Sequence, residues 1–185
     1  MDDFKLIAWD LDGTLLDDEG QVKVSQVRTT CEFLGLPNWQ QYVQPYYGVG
    51  YHNMLTELCA QIGIADAAQV WDIDRYLRPG IDAEIHEYVA GPEAQVGRGT
   101  IESLSWVQDQ GITQGIATGA SPEKAALSLE VPLQDAGPLK RFFEDERLVV
   151  SRGDKRIPND LRKAKPDPGL LIHLMHQAGV APQTP

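Results

Sequence analysis

The 185-residue chain carries 16 Lys and Arg against 27 Asp and Glu, a formal net charge of −11, with 42% apolar residues. That balance suits a soluble globular fold of one domain or one domain with an insert, and it argues against nucleic-acid or anionic-membrane binding, both of which need a cationic face. No run approaches the roughly eighteen apolar residues of a membrane span, Met1-Asp2-Asp3 lacks a signal-peptide start, and the two cysteines, Cys31 and Cys59, lie in helical patterns, so a reduced, cytoplasmic setting is expected.

The first element is Phe4-Lys5-Leu6-Ile7-Ala8-Trp9, an apolar run that ends in charge and glycine. It predicts a strand buried on both faces, as in a parallel sheet. Residues 17–96 then read as helical throughout. Val24, Val27 and Cys31 recur at helical spacing over 21–34, and Gly35-Leu36-Pro37-Asn38 marks a stop and a turn. Met54, Leu55, Leu58 and Ile62 share one side of a helix over 51–62, and a further helix over 67–89 is interrupted at Pro79-Gly80.

After the glycine-rich stretch 91–99, helices and strands alternate. A helix over 100–110 turns Ile101, Leu104 and Val107 inward; a strand covers 112–118; Ser121 caps and Pro122 opens a helix to about 129. Leu148-Val149-Val150 is a third strand. Asp167 caps a helix begun by Pro168, with Leu171, Leu174, Met175 and Ala178 on one face and Gly179 ending it. Such alternation predicts parallel α/β units.

The chemistry concentrates in Asp10-Leu11-Asp12-Gly13-Thr14-Leu15, directly after the first strand. Ligands of parallel α/β sheets bind beyond the carboxyl ends of strands. In extended backbone, residues i and i+2 project to one side, so Asp10 and Asp12 face one point, and Gly13 permits a sharp turn. Two carboxylates so close call for a cation between them, and a hard divalent ion such as Mg²⁺ suits oxygen donors. A calcium loop of the EF-hand kind is excluded, because its sixth and twelfth positions hold Leu15 and Gln21 instead of Gly and Glu. Taken alone, the segment leaves a solvated turn and an active site both open.

The whole pattern resembles the haloacid dehalogenase-like hydrolase superfamily. Asp-X-Asp-Gly-Thr-Leu after an apolar strand resembles its first motif, Ile116-Ala117-Thr118-Gly119 its second, and Ala164-Lys165-Pro166-Asp167-Pro168 its third, in the family's order. Helical sequence inserted after the first motif is similar to the subgroup with a helical cap there, and the overall flavour is that of phosphoglycolate phosphatases and β-phosphoglucomutases. The resemblance implies a Rossmann-like α/β core, residues 1–16 and 97–185, with an all-helical cap over 17–96 that closes over the site and selects the substrate.

The resemblance further implies roles. Asp10 is the expected nucleophile toward phosphorus, forming an aspartyl-phosphate. Asp12 is the expected general acid for the leaving alcohol and then the base toward water. Mg²⁺ would bind the Asp10 carboxylate and the Asp12 main-chain carbonyl. Leu11, Gly13, Thr14 and Gly119 would line the phosphate; Thr118 would donate its hydroxyl to a phosphoryl oxygen, and Lys165 would hold Asp10 and the phosphate together. The implied function is Mg²⁺-dependent hydrolysis of a small phosphorylated metabolite. The alternatives are a non-catalytic remnant or binding module of the same fold, and a haloacid dehalogenase, which the paired acid Asp12 disfavours.

The family's fourth motif, an apolar strand, Gly-Asp and a second acidic residue, has no counterpart between Lys165 and Pro185. One strand–helix unit, on the order of 30 residues, is therefore expected to be absent. Its loss leaves the first strand as an apolar edge open to self-association. Leu148-Val149-Val150-Ser151-Arg152-Gly153-Asp154, with Asp160 beyond, imitates that motif but precedes Lys165 and reads as a charged loop; otherwise Asp154 would be the third metal carboxylate. Residues 45–64 hold Tyr46, Tyr47, Tyr51 and His52 without Lys or Arg, and the tyrosines read as helix packing. The cap's basic residues are Lys23, Arg28, Arg75 and Arg78. His173 and His176 have no third ligand in reach and are expected in solvent.

Overall fold

The computed structural model describes residues 5–132, 137–159, 161 and 167–181. Strands β1 (Leu6–Trp9), β2 (Thr113–Thr118) and β3 (Val149–Ser151) form one parallel sheet in the order β1-β2-β3. The helices are α1 (Glu19–Leu34), α2 (Gln40–Val43), α3 (Tyr51–Gln61), α4 (Ala67–Ala90), α5 (Thr100–Asp109), α6 (Pro122–Leu129) and α7 (Gly169–Gln177). A Rossmann-like parallel sheet with surrounding helices is the architecture that the alternation of elements predicts.

The chain divides into two compact units, residues 1–17 with 89–185, and residues 18–88. The second unit carries α1 to α3 and most of α4, with no strand among its described residues. The sequence reading places the return to the core at 97. The backbone returns earlier: the Asp17 amide donates to Gln95 O (2.9 Å), the Gly97 amide to Leu15 O (2.8 Å), and Leu16 pairs with Val96 in an antiparallel bridge.

In the α/β unit β2 is the central strand and all but its first residue are buried. Gly115 is required there, because a Cβ would stand 2.7 Å from Leu174 Cδ1 and 2.9 Å from Leu148 O. That close approach lets α7 lie on the sheet, where Ala117, Leu148, Val150, Ile157, Leu170 and Leu174 form one apolar cluster. On the other side, Gln114 accepts from the Trp9 indole (3.0 Å) and donates to Leu104 O (3.1 Å), tying β1, β2 and α5 with no unpaired amide.

Several expectations need correction. β1 is not buried on both faces: Ala8 is exposed and its neighbours only half-buried. Among the described residues β1 has a strand on one side alone, so its other edge has no strand partner; Phe4 lies outside the described residues. α4 runs unbroken through Pro79. Proline there removes one N–H from the helix ladder, yet Val70, Ile73, Leu77, Ile81 and Ile85 keep one buried face on either side of it, and that packing holds the helix.

α7 is rotated by one residue from the expected face. It begins at Gly169, whose amide donates to Asp167 Oδ1 (2.9 Å), and a Cβ at Gly169 would collide with the Leu161 carbonyl. This approach turns Leu170, His173 and Leu174 inward and leaves Leu171 46% exposed. His173 is consequently buried, contrary to expectation, while His176 is exposed. Helix α2 has no buried residue, so no apolar period announced it.

Candidate active site

Trp9 lies opposite Ile116 in the parallel pairing of β1 with β2. Both strands therefore end at one edge of the sheet, where Asp10 follows β1 directly and Thr118 is the last residue of β2; this is the carboxyl edge at which α/β folds carry ligands. Beyond Trp9 the chain winds into a tight turn rather than staying extended. The Leu11 carbonyl accepts from the amides of Thr14 (3.4 Å), Leu15 (3.0 Å) and Leu16 (3.0 Å), and Gly13 takes a φ of 69°. Gly13 is thus used for the backbone freedom that its type supplies.

Leu11 is fully buried, whereas Asp10 and Asp12 on either side of it are half-buried and Gly13 and Thr14 exposed. Leu11 anchors the loop in the core, and the half-buried Asp10 and Asp12 flank it. Asp10 Oδ1 accepts from the Leu11 amide at 2.9 Å. Asp12 Oδ1 meets the ammonium of Lys124 at 2.5 Å.

Lys124 is a residue that the sequence reading missed. It sits in the first turn of α6, which Ser121 caps by accepting from the Lys124 amide (3.1 Å) and Pro122 opens. A cation at a helix N-terminus opposes the macrodipole, and this one is only 6% exposed. Such a lysine needs a specific counter-charge. Its position one turn beyond the Thr118-Gly119 strand end was the available signal.

Thr118 is fully buried, and its Oγ1 accepts from the Ala120 amide (3.1 Å). A hydroxyl that accepts one bond still has a proton to donate. Gly119 beside it is exposed, with open space where a Cβ would project. The structure thus puts Asp10, Asp12 and Thr118 at one edge and adds Lys124; Lys165 and Asp160 lie outside the described residues.

Asp154 belongs to a charged loop, as the sequence reading holds. Its carboxylate receives the Arg156 guanidinium (Nε at 2.8 Å, one terminal nitrogen at 2.6 Å) and the Arg156 amide (2.8 Å), and Arg156 also donates to the Glu146 and Val149 carbonyls. The bonded guanidinium holds the Asp154 carboxyl below the usual carboxylate range. Asp154 therefore fixes the turn after β3.

The Asp10 carboxylate and the Asp12 main-chain carbonyl are hard oxygen donors of the kind Mg²⁺ takes while keeping several waters. Asp12's side chain is engaged by Lys124, which leaves its carbonyl as the natural donor. Among the described residues no group of three or more His, Cys, Asp or Glu side chains is placed to hold a metal.

In the helical unit, Tyr46 and Tyr51 are buried as packing residues, and Tyr47 is exposed. A polar network went unforeseen there. Buried Asp74 accepts from Arg78 through Nε (2.9 Å) and one terminal nitrogen (2.9 Å), and its Oδ2 lies 2.9 Å from His52 Nδ1. His52 stacks on Trp71, and Arg78 lies over the Tyr51 ring. Lys23, also buried, donates to Val49 O (2.7 Å) and Gln26 Oε1 (2.9 Å), and burial pushes its ammonium below the ordinary lysine range.

Residues 7–184 match the family model described as haloacid dehalogenase-like hydrolase. The chain is 32% identical over 181 residues to a phosphoglycolate phosphatase of Pseudomonas syringae pv. tomato, covering 95% of this chain and 58% of that protein. It is 30% identical over 183 residues to one of Pseudomonas putida, covering 97% and 60%. The chain thus spans about three-fifths of the length of these curated relatives. Its fold is shared by CbbY of Rhodobacter sphaeroides, solved in complex with xylulose-1,5-bisphosphate (TM-score 0.67, 17% identity, 97% of this chain and 74% of that one). It is also shared by a HAD hydrolase of family IA, variant 3, from Entamoeba histolytica (TM-score 0.70, 12% identity, 96% and 71%).

Proposed function

The chain belongs to the haloacid dehalogenase-like hydrolases, and on that premise we propose that it hydrolyses a small phosphate monoester through an aspartyl-phosphate on Asp10. The observation that carries this reading is the Asp10–Thr14 turn, which follows β1 at the carboxyl edge of the sheet and holds two half-buried aspartates, while Thr118 closes β2 at the same edge.

Asp10 attacks phosphorus, and the alcohol leaves with a proton from Asp12. Water then attacks the acyl phosphate, returning a proton to Asp12, and inorganic phosphate departs with Asp10 restored. The net change is one ester and one water converted to one alcohol and one phosphate. Mg²⁺, held by the Asp10 carboxylate and the Asp12 carbonyl, would supply neutralising charge for the phosphoryl group. Thr118 has one hydroxyl proton for a phosphoryl oxygen, and exposed Gly119 leaves room for that oxygen to approach. Lys165 has the same point-charge role in this reading. The paired acid Asp12 supports phosphoryl over carbon–halogen chemistry.

Because the relatives are named phosphoglycolate phosphatases, 2-phosphoglycolate is the first substrate to assay. Phosphate release that requires Mg²⁺ and is lost in Asp10→Asn supports the reading. Metal-dependent stabilisation by beryllium fluoride without any turnover would favour a binding module of the same fold.

A further inference from the structure

The ion pair between Lys124 and Asp12 joins residues 112 positions apart, and its two ends differ in exposure: the lysine side chain keeps 7% of its surface, the aspartate 28%. The pair is thus sealed at the helix and open at the loop. A buried ammonium is costly, and more so in the first turn of a helix. A structural tie between α6 and the loop would need neither burial nor a charge, since neutral side chains could bridge the same gap.

The electrostatics supply a reason for the cation. A phosphate ester brings negative charge to a site that already presents the Asp10 carboxylate, on a chain of net charge −11. Like charges at contact distance exclude each other unless a cation intervenes. Lys124 delivers one from a helix rooted directly after Thr118-Gly119, the segment assigned to the phosphate.

We propose that Lys124 is a phosphate-binding residue of this site, whose ammonium is shared between Oδ1 of Asp12 and a phosphoryl oxygen of the bound ester. The proposal rests on the hydrolase reading for the identity of the ligand. It makes Lys124 a second cation beside the one expected at Lys165, and it gives α6 a binding role. A lysine suits the task because a single ammonium has three donors and can serve both acceptors.

The test is calorimetric titration of inorganic phosphate and of orthovanadate, with Mg²⁺, into the wild type, Lys124→Met, Lys124→Arg and the exposed control Lys140→Met. A charge-assisted contact predicts an affinity loss of about tenfold or more in Lys124→Met, partial rescue in Lys124→Arg, and no change in Lys140→Met. If Lys124→Met does not fold, the double variant Asp12→Asn with Lys124→Met removes the unpaired charge and is measured against Asp12→Asn alone. Equal anion affinity with and without Lys124 would overturn the proposal, even where phosphatase activity is present. Lys124-dependent anion binding without turnover would uphold it and sink the hydrolase reading instead.

Discussion

Gly97 packs against the carbonyl of Thr14 so closely that a Cβ would stand 2.7 Å from that oxygen and 3.2 Å from Thr100 Oγ1. The contact, with the Gly97 amide bonded to Leu15 O and the Thr100 hydroxyl to the same carbonyl (3.2 Å), fixes the far end of the Asp10–Thr14 turn. Gly97→Ala must displace backbone rather than a flexible side chain. A loss of about 1–3 kcal/mol is expected in urea unfolding, together with weaker anion binding. Wild-type stability in Gly97→Ala would show that the turn is not clamped there.

The rotated face of α7 gives a paired test. Leu174 is fully buried against Gly115 and the sheet, whereas Leu171 is 46% exposed. Leu174→Ala should cost about 2–5 kcal/mol, and Leu171→Ala no more than about 0.5 kcal/mol. The reverse order, read from denaturant midpoints, would restore the face expected from sequence.

Much of this was legible because the signals are local. Ser121-Pro122 announces the start of α6, Gly13 the turn after β1, and the change from unbroken helical periods to alternating elements announces an insert within an α/β core. What escaped was set by contacts distant in sequence. Lys124 finds Asp12 across 112 positions, and nothing in its neighbours discloses the partner. Proline inside α4 signalled a break that packing overrode. The apolar period alone does not give the α7 face, because the approach of Gly169 to Leu161 decides which residues point inward.

In the helical unit, Asp74 is the shared acceptor for Arg78 and His52 and is almost wholly buried. Removing it leaves both donors without their common partner. Asp74→Ala should destabilise by about 1–3 kcal/mol, and His52→Ala by less, because Arg78 still satisfies the carboxylate. Thermal unfolding of the two variants side by side checks the order.

Burial pushes the His173 pKa down, with Arg156 and His176 adding to the effect and Asp154 opposing it. Its folded-state value therefore lies below the ordinary histidine value of about 6.5, and the unfolded chain binds the proton more readily. The neutral ring's contribution is fully present above that pH and is lost as pH falls through the lowered folded value. His173→Gln should flatten the decline in unfolding free energy between about pH 7 and pH 5. An unchanged slope would mean that His173 does not titrate against folding.

The account stands on Asp10 as the group that receives phosphorus. Rapid acid quench of the chain turning over 2-phosphoglycolate with Mg²⁺, followed by borohydride reduction and peptide mass spectrometry, reads this directly. The predicted result is conversion of Asp10 to homoserine in the wild type and none in Asp10→Asn. Steady turnover with the trapped group on another residue, or undiminished turnover in Asp10→Asn, contradicts it.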